Sequence, residues 1–203
     1  MSLAEQVRVD ERMMHRCIEL AKTARSQKEF PFACIIARGE EVIVETINEV
    51  VRQNDVTRHA EMVAVSMAQK AVKKRRLRGC TLYTTVEPCP MCSTAIRETQ
   101  ISRVVYALAS PLMGGSSKWN VLGDVEMSRT MPEYFGHSPP EVRGGVLAKE
   151  AAQVWRSAHP IVWAVIQKRG CFVVPPGAMT HVHEPVEAPG IFSRLVERLL
   201  PGG

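Results

Sequence analysis

No stretch of the chain approaches the roughly 18 consecutive apolar residues that a membrane-spanning helix needs, and residues 1–10 lack the apolar core of a secretory signal. A cytoplasmic protein with no membrane partner is the expectation. Without a secretory context, the six cysteines at 17, 34, 80, 89, 92 and 171 are read as reduced thiols or metal ligands rather than disulfides. Internal repeats and low-complexity tracts are absent as well. What is present is the composition of an ordinary globular domain, 45% hydrophobic and 23% charged, which argues against disorder. Its 203 residues can bury a core without disulfide staples.

Excess charge is also missing from most of the sequence. The net charge is +5, but Lys70, Lys73, Lys74, Arg75, Arg76 and Arg78 account for it and the remainder is near neutral. Such a cluster can contact phosphates. A solvated helix end, where cations complement the dipole, is the preferred reading because the rest of the chain is not basic.

Apolar residues recur at helical spacing over residues 10–27, with Asp10 placed as the N-cap. Short Ile- and Val-rich runs at 32–37 and 42–47 predict a hairpin turning at Gly39. A helix follows from His59 to Lys73, a strand over 80–86, a short helix over 90–98 and a strand over 103–108. Residues 110–145 have no strong period and are expected to form a long, partly ordered insertion covering a site. A helical pattern spans 146–167, which Pro160 should kink or end. Residues 175–190 hold four prolines, and 191–200 predict a last amphipathic helix. This order points to a central sheet covered by helices. The division expected is a domain over 8–168 and a C-terminal extension over 169–203.

The chemistry concentrates in His59-Ala60-Glu61 and Pro88-Cys89-Pro90-Met91-Cys92. One histidine and two cysteines can bind Zn²⁺, and three protein ligands is the count of a catalytic site that keeps a fourth position for water. Cysteines at i and i+3 on a helix's first turn face one side, where the dipole favours thiolate. His59 and Glu61, two apart, share a cavity only if His59 lies at the helix's N-terminal edge. Glu61 is then placed to take a proton from water and return it to a leaving group. The competing reading is a structural zinc site completed by His137, His181 or His183.

With these residues in view, the chain resembles the zinc-dependent cytidine deaminase superfamily, whose H-x-E and P-C-x-x-C signature it carries. The likeness is to the branch containing tRNA adenosine deaminase, guanine deaminase and cytosine deaminase. His59-Ala60-Glu61-Met62, the run from Thr81 to Cys92 and Arg103-Val104-Val105-Tyr106 carry it, over roughly residues 10 to 160. The resemblance implies an α/β, three-layer αβα cytidine-deaminase-like fold with a central mixed sheet, and a homodimer. It implies zinc on His59, Cys89 and Cys92, Glu61 as the catalytic proton carrier, and ammonia as leaving group. Substrate contacts are expected from Asn48, Phe32 and Ala60, with Trp119 of the insertion stacking on the ligand.

Two substrates compete: a small-molecule nucleobase or nucleoside such as guanine or cytosine, and an adenosine extruded from tRNA. The tRNA enzymes resembled carry Ala-Arg-Asp after the Val-Val-Tyr strand, where this chain has Ala107-Leu108-Ala109-Ser110-Pro111. The small molecule is therefore the first expectation and tRNA the alternative. Guanine further needs an acceptor for its N–H donors, for which Asp124, Glu126 and Glu133 are candidates.

Overall fold

The computed structural model describes residues 2–177 and 179–181. The first helix, α1 (Leu3–Thr23), starts earlier than the sequence predicts. Ser2 caps it in a reciprocal box with Glu5, the arrangement that satisfies two of the orphan donors of a helix start. Asp10 is therefore not an N-cap. It sits mid-helix and fully buried, accepting from Arg103 at 3.0 and 3.2 Å, Arg143 at 2.6 Å and the Tyr83 hydroxyl at 3.1 Å.

The predicted hairpin forms as β1 (Ala33–Arg38) and β2 (Glu41–Ile47), with Gly39 at a positive φ of 57°. A single turn, α2 (Val50–Gln53), leads to α3 (Ala60–Val72). Then come β3 (Thr81–Val86), α4 (Pro90–Glu98) and β4 (Arg103–Leu108). The stretch expected as a loose insertion is more ordered than its sequence pattern implies. It holds α5 (Val125–Thr130), α6 (Pro132–Phe135) and a strand, β5 (Glu141–Gly144). The predicted long helix is two, α7 (Ala148–Ala158) and α8 (Pro160–Arg169), because Pro160 opens a new helix where its missing N–H is harmless. Last among the described elements is β6 (Met179–His181). The amphipathic helix expected over 191–200 lies outside the described residues.

The sheet runs β2-β1-β3-β4-β5-β6. The β3, β4 and β5 pairings are parallel and the others antiparallel, so the sheet is mixed. The central strands β1, β3 and β4 are covered on both faces, which explains their near-continuous burial. Ala33, Ile35, Ala37, Tyr83, Val105 and Ala107 face α1 and α7. Their alternates Cys34, Ile36, Leu82, Val104 and Tyr106 face α3 and α4. The result is an αβα sandwich, as expected. Val173 and residues 179–181, assigned from sequence to an extension, join the sheet: Val173 bridges Ala109 and β6 pairs with β5. Parallel β3 and β4 end side by side, and in α/β sheets ligands settle in the crevice at such carboxyl ends.

Candidate active site

Two helix starts converge at that crevice. His59 is the N-cap residue of α3, with extended backbone (φ −60°, ψ 149°). This places it at the helix edge, so its ring and the Glu61 carboxylate face one cavity. Cys89 is the N-cap residue of α4, Pro90 follows, and Cys92 sits one turn in. The His59 Nδ1 lies 3.5 Å from each sulfur, and the sulfurs are 3.6 Å apart. A tetrahedral zinc, with bonds of about 2.3 Å to sulfur and about 2.0–2.1 Å to nitrogen, sets its ligand atoms about 3.6–3.8 Å apart. The three donors therefore fit zinc without rearrangement. Among the described residues no fourth ligand joins them: His137 and His181 lie outside the cluster, and His183 is not among the described residues.

The electrostatics match that chemistry. The Cys89 thiol is drawn down to about 4, chiefly by its hydrogen bond with Cys92 and also by His59, against burial. Cys92 is correspondingly pushed up by its partner sulfur and by burial, so the pair shares a proton. His59 is raised by its bond to Cys89. Burial pushes the Glu61 carboxyl above its ordinary range, against a backbone hydrogen bond, His59 and Thr84. A carboxyl raised in a cleft is suited to exchange protons near neutral pH. Its Oε1 accepts from the Thr84 hydroxyl of β3 at 3.0 Å, while Oε2 is 3.7 Å from the Cys92 sulfur.

The cavity before these groups measures about 320 Å³. Phe32, Val86, Met113 and Phe172 give it apolar walls, and Asn48, Glu87 and Ser110 contribute polar groups. Asn48 and Phe32, expected from the resemblance as substrate contacts, both line this cavity. Ala60 is buried, its carbonyl accepting from the Thr46 hydroxyl, and is not part of the lining. Trp119 does not stack into the cavity either: it is 60% exposed and away from the lining, and Met113 takes the place expected for it. Phe30 stacks on Trp155 with ring centres 5.8 Å apart. No local pattern singles out Met113 or Phe172, because tertiary packing alone brings them here. Phe172 arrives through the turn after α8, edge-on to Phe32 at 5.9 Å.

None of the three carboxylates proposed to recognise guanine lines the cavity. Asp124 caps α5, accepting from the backbone of Glu126 and Met127, and Glu126 pairs with Arg129 in solvent. Glu133 lies in α6 beside Arg76. Among the described residues, the carboxylates that do reach the cavity are Glu61 and Glu87. Glu87 is consumed by the loop above it: its oxygens accept from the backbone N–H of Ser110, Ser116 and Ser117 and from the Ser117 hydroxyl, at 2.6–3.0 Å. That loop passes so close that a Cβ on Gly114 would lie 2.2 Å from the Glu87 Oε1.

The profile of the cytidine and deoxycytidylate deaminase zinc-binding region matches residues 7–108. A tRNA-specific adenosine deaminase of Haemophilus influenzae is 35% identical over 146 residues, covering 71% of this chain and 79% of that protein. The chloroplastic tRNA(adenine(34)) deaminase of Arabidopsis thaliana is 32% identical over 158 residues, 74% of this chain but only 12% of that much longer protein. A structure solved in a study of A-to-I editing by tRNA:A34 deaminases superposes with a TM-score of 0.61 at 30% identity. The superposition covers 70% of this chain and 96% of the other.

Proposed function

The chain belongs to the zinc-binding cytidine and deoxycytidylate deaminase family, and from that premise we propose that it hydrolytically deaminates adenosine carried in a tRNA, leaving inosine and ammonia. His59, Cys89 and Cys92 would hold zinc. Bound there, the metal supplies the Lewis acidity that makes water a nucleophile near neutral pH. Glu61 carries the proton on Oε2, since Thr84 already occupies Oε1, and delivers it to the leaving amine. Phe32, Val86, Met113 and Phe172 pack the faces of the ring and exclude water.

This revises the order of the substrates expected from the sequence. The observation that carries the revision is that, among the described residues, no carboxylate lining the cavity is free: Glu61 is assigned to the proton and Glu87 is spent on backbone N–H groups. A guanine ring would bring its N–H donors to a wall without an unengaged acid, whereas adenosine has no ring N–H donor that needs one. The tRNA-deaminase relatives point the same way.

A second reading, a free amino-substituted base, keeps one observation in its favour. The basic cluster starts at the far end of α3, about 16 Å along the helix from His59. There Arg75 pairs with Glu98 and Arg76 donates to the Glu133 carbonyl, so it does not frame the cavity. Ammonia release by zinc-loaded protein separates the readings, using an anticodon stem-loop RNA, adenosine, adenine, guanine and cytosine, with Glu61→Ala as the blank. Release from the RNA, lowered about 10²- to 10⁴-fold in Glu61→Ala, is expected. Release from a free base alone would overturn the tRNA assignment, and release from none would overturn the activity.

A further inference from the structure

Behind the cavity wall lies a buried acid that the chemistry above does not use. Glu29 is 1% exposed and follows the short 3₁₀ turn Ala24–Gln27 that ends α1. Its Oε1 accepts from the Arg52 backbone N–H at 2.7 Å, and its Oε2 accepts from the Asn48 side-chain Nδ2 at 2.8 Å. Asn48 itself is 4% exposed and lines the cavity, which Glu29 does not.

An asparagine amide has two chemically opposite ends of almost the same size, and only its partners decide which end faces a ligand. Each Glu29 oxygen accepts one hydrogen bond, from Arg52 and from Asn48, so the carboxyl group holds the NH₂ end of the amide against itself. The Asn48 Oδ1 is left on the other side of the amide, with no partner among the described residues. We propose that Glu29 is a positioning residue that locks the Asn48 amide with its carbonyl oxygen toward the substrate, so that the cavity presents an acceptor rather than a donor at this point. The proposal rests on reading this cavity as the deaminase pocket, and it names what makes Asn48 selective: a donor at that edge, which adenosine offers in its exocyclic amine, gains a hydrogen bond, and a ring acceptor turned to the same edge meets a repulsive oxygen. Arg52 serves as the second anchor. Its backbone N–H ties the acid to α2, so Glu29 cannot turn away to relieve a mismatched ligand.

Glu29→Gln tests this with almost no change in shape. Glutamine has one acceptor oxygen for two donors. If that oxygen stays on Arg52, its own NH₂ faces Asn48 and the asparagine amide must flip. A double-mutant cycle with Asn48→Ala reads the consequence. Glu29→Gln is expected to lower kcat/KM about tenfold in the parent protein and by no more than about twofold once Asn48 is alanine, with zinc content unchanged. An equal loss in both backgrounds would overturn the proposal, because Glu29 would then be supporting the fold and not Asn48. The cycle uses whichever of the stem-loop RNA and free bases is turned over, so a wrong tRNA assignment does not disturb it. A second readout needs no turnover. The side-chain amide signals of Asn48, identified by their loss in Asn48→Ala, are expected to exchange slowly with solvent and to exchange faster in Glu29→Gln. Unaltered exchange would equally overturn it.

Discussion

Asp10 shows how much one buried charge can organise. It joins α1 to Arg103 on β4 and Arg143 on β5, and the Tyr83 hydroxyl of β3 completes its shell. Burial alone would raise its carboxyl, but Arg103, Gln6 and Arg143 outweigh it and hold the acid below its ordinary range. A carboxyl depressed by folding stabilises the native state fully above its unfolded value, near 3.9, and that contribution is lost as the pH falls through the lower native value. Asp10→Asn removes the charge and leaves Arg143 without its acid, so it is expected to destabilise the protein by about 3 kcal/mol at neutral pH. Denaturant titrations of both proteins from pH 7 to pH 3 check the sign. The gap between them should be constant down to about pH 4 and narrow below it. A gap that widens in acid would remove Asp10 from this role.

Among the elements, the loop from Ser110 to Ser117 is the one whose path the site depends on. Four donors of that loop converge on Glu87, at the end of β3, and so hold Met113 over the cavity. Gly114 makes the approach possible, since any side chain there would strike the carboxylate. Gly114→Ala is therefore expected to cost about 1–3 kcal/mol and to raise KM more than it lowers kcat. Gly177→Ala, where a Cβ meets nothing within 4 Å, is the control. Equal KM values in the two variants would show that the loop does not shape the pocket. The same loop marks where the sequence stopped being readable. Strands β1, β3 and β4 and helices α3 and α4 are short apolar runs or strong periods with clear ends, and their spacing places His59, Cys89 and Cys92 together. By contrast α5 and α6 have only six and four residues, too few to show a period, and β5 is the mostly polar Glu-Val-Arg-Gly. Asp10 followed by Glu11 imitates a helix start, while the real cap at Ser2 and Glu5 lies a little upstream. Glu29, Met113 and Phe172 reach the site through tertiary contacts alone, which no local pattern encodes.

At the scale of the whole molecule, the proposed metal ligands come from two helix starts, α3 and α4, that flank the same face of the sheet. One follows the β1–β2 hairpin and the other follows β3. A metal held there ties together segments 30 residues apart, His59 and Cys89, and favours the folded state, because the three donors do not stay assembled on unfolding. Any ligand of that kind raises stability by mass action, about 2.7 kcal/mol at a free concentration one hundred times its Kd. Chelation is therefore expected to lower the melting temperature and added zinc to restore it, with about one zinc per chain. Cys89→Ser should bind less zinc and lose most of that response. Glu61→Ala should keep both the zinc and the response while losing turnover, because its carboxylate is proposed to move a proton and not to ligate. The two variants thus separate the metal's part in the fold from the acid's part in the chemistry. A Glu61→Ala protein that lost zinc along with activity would make Glu61 a ligand and require a different proton carrier.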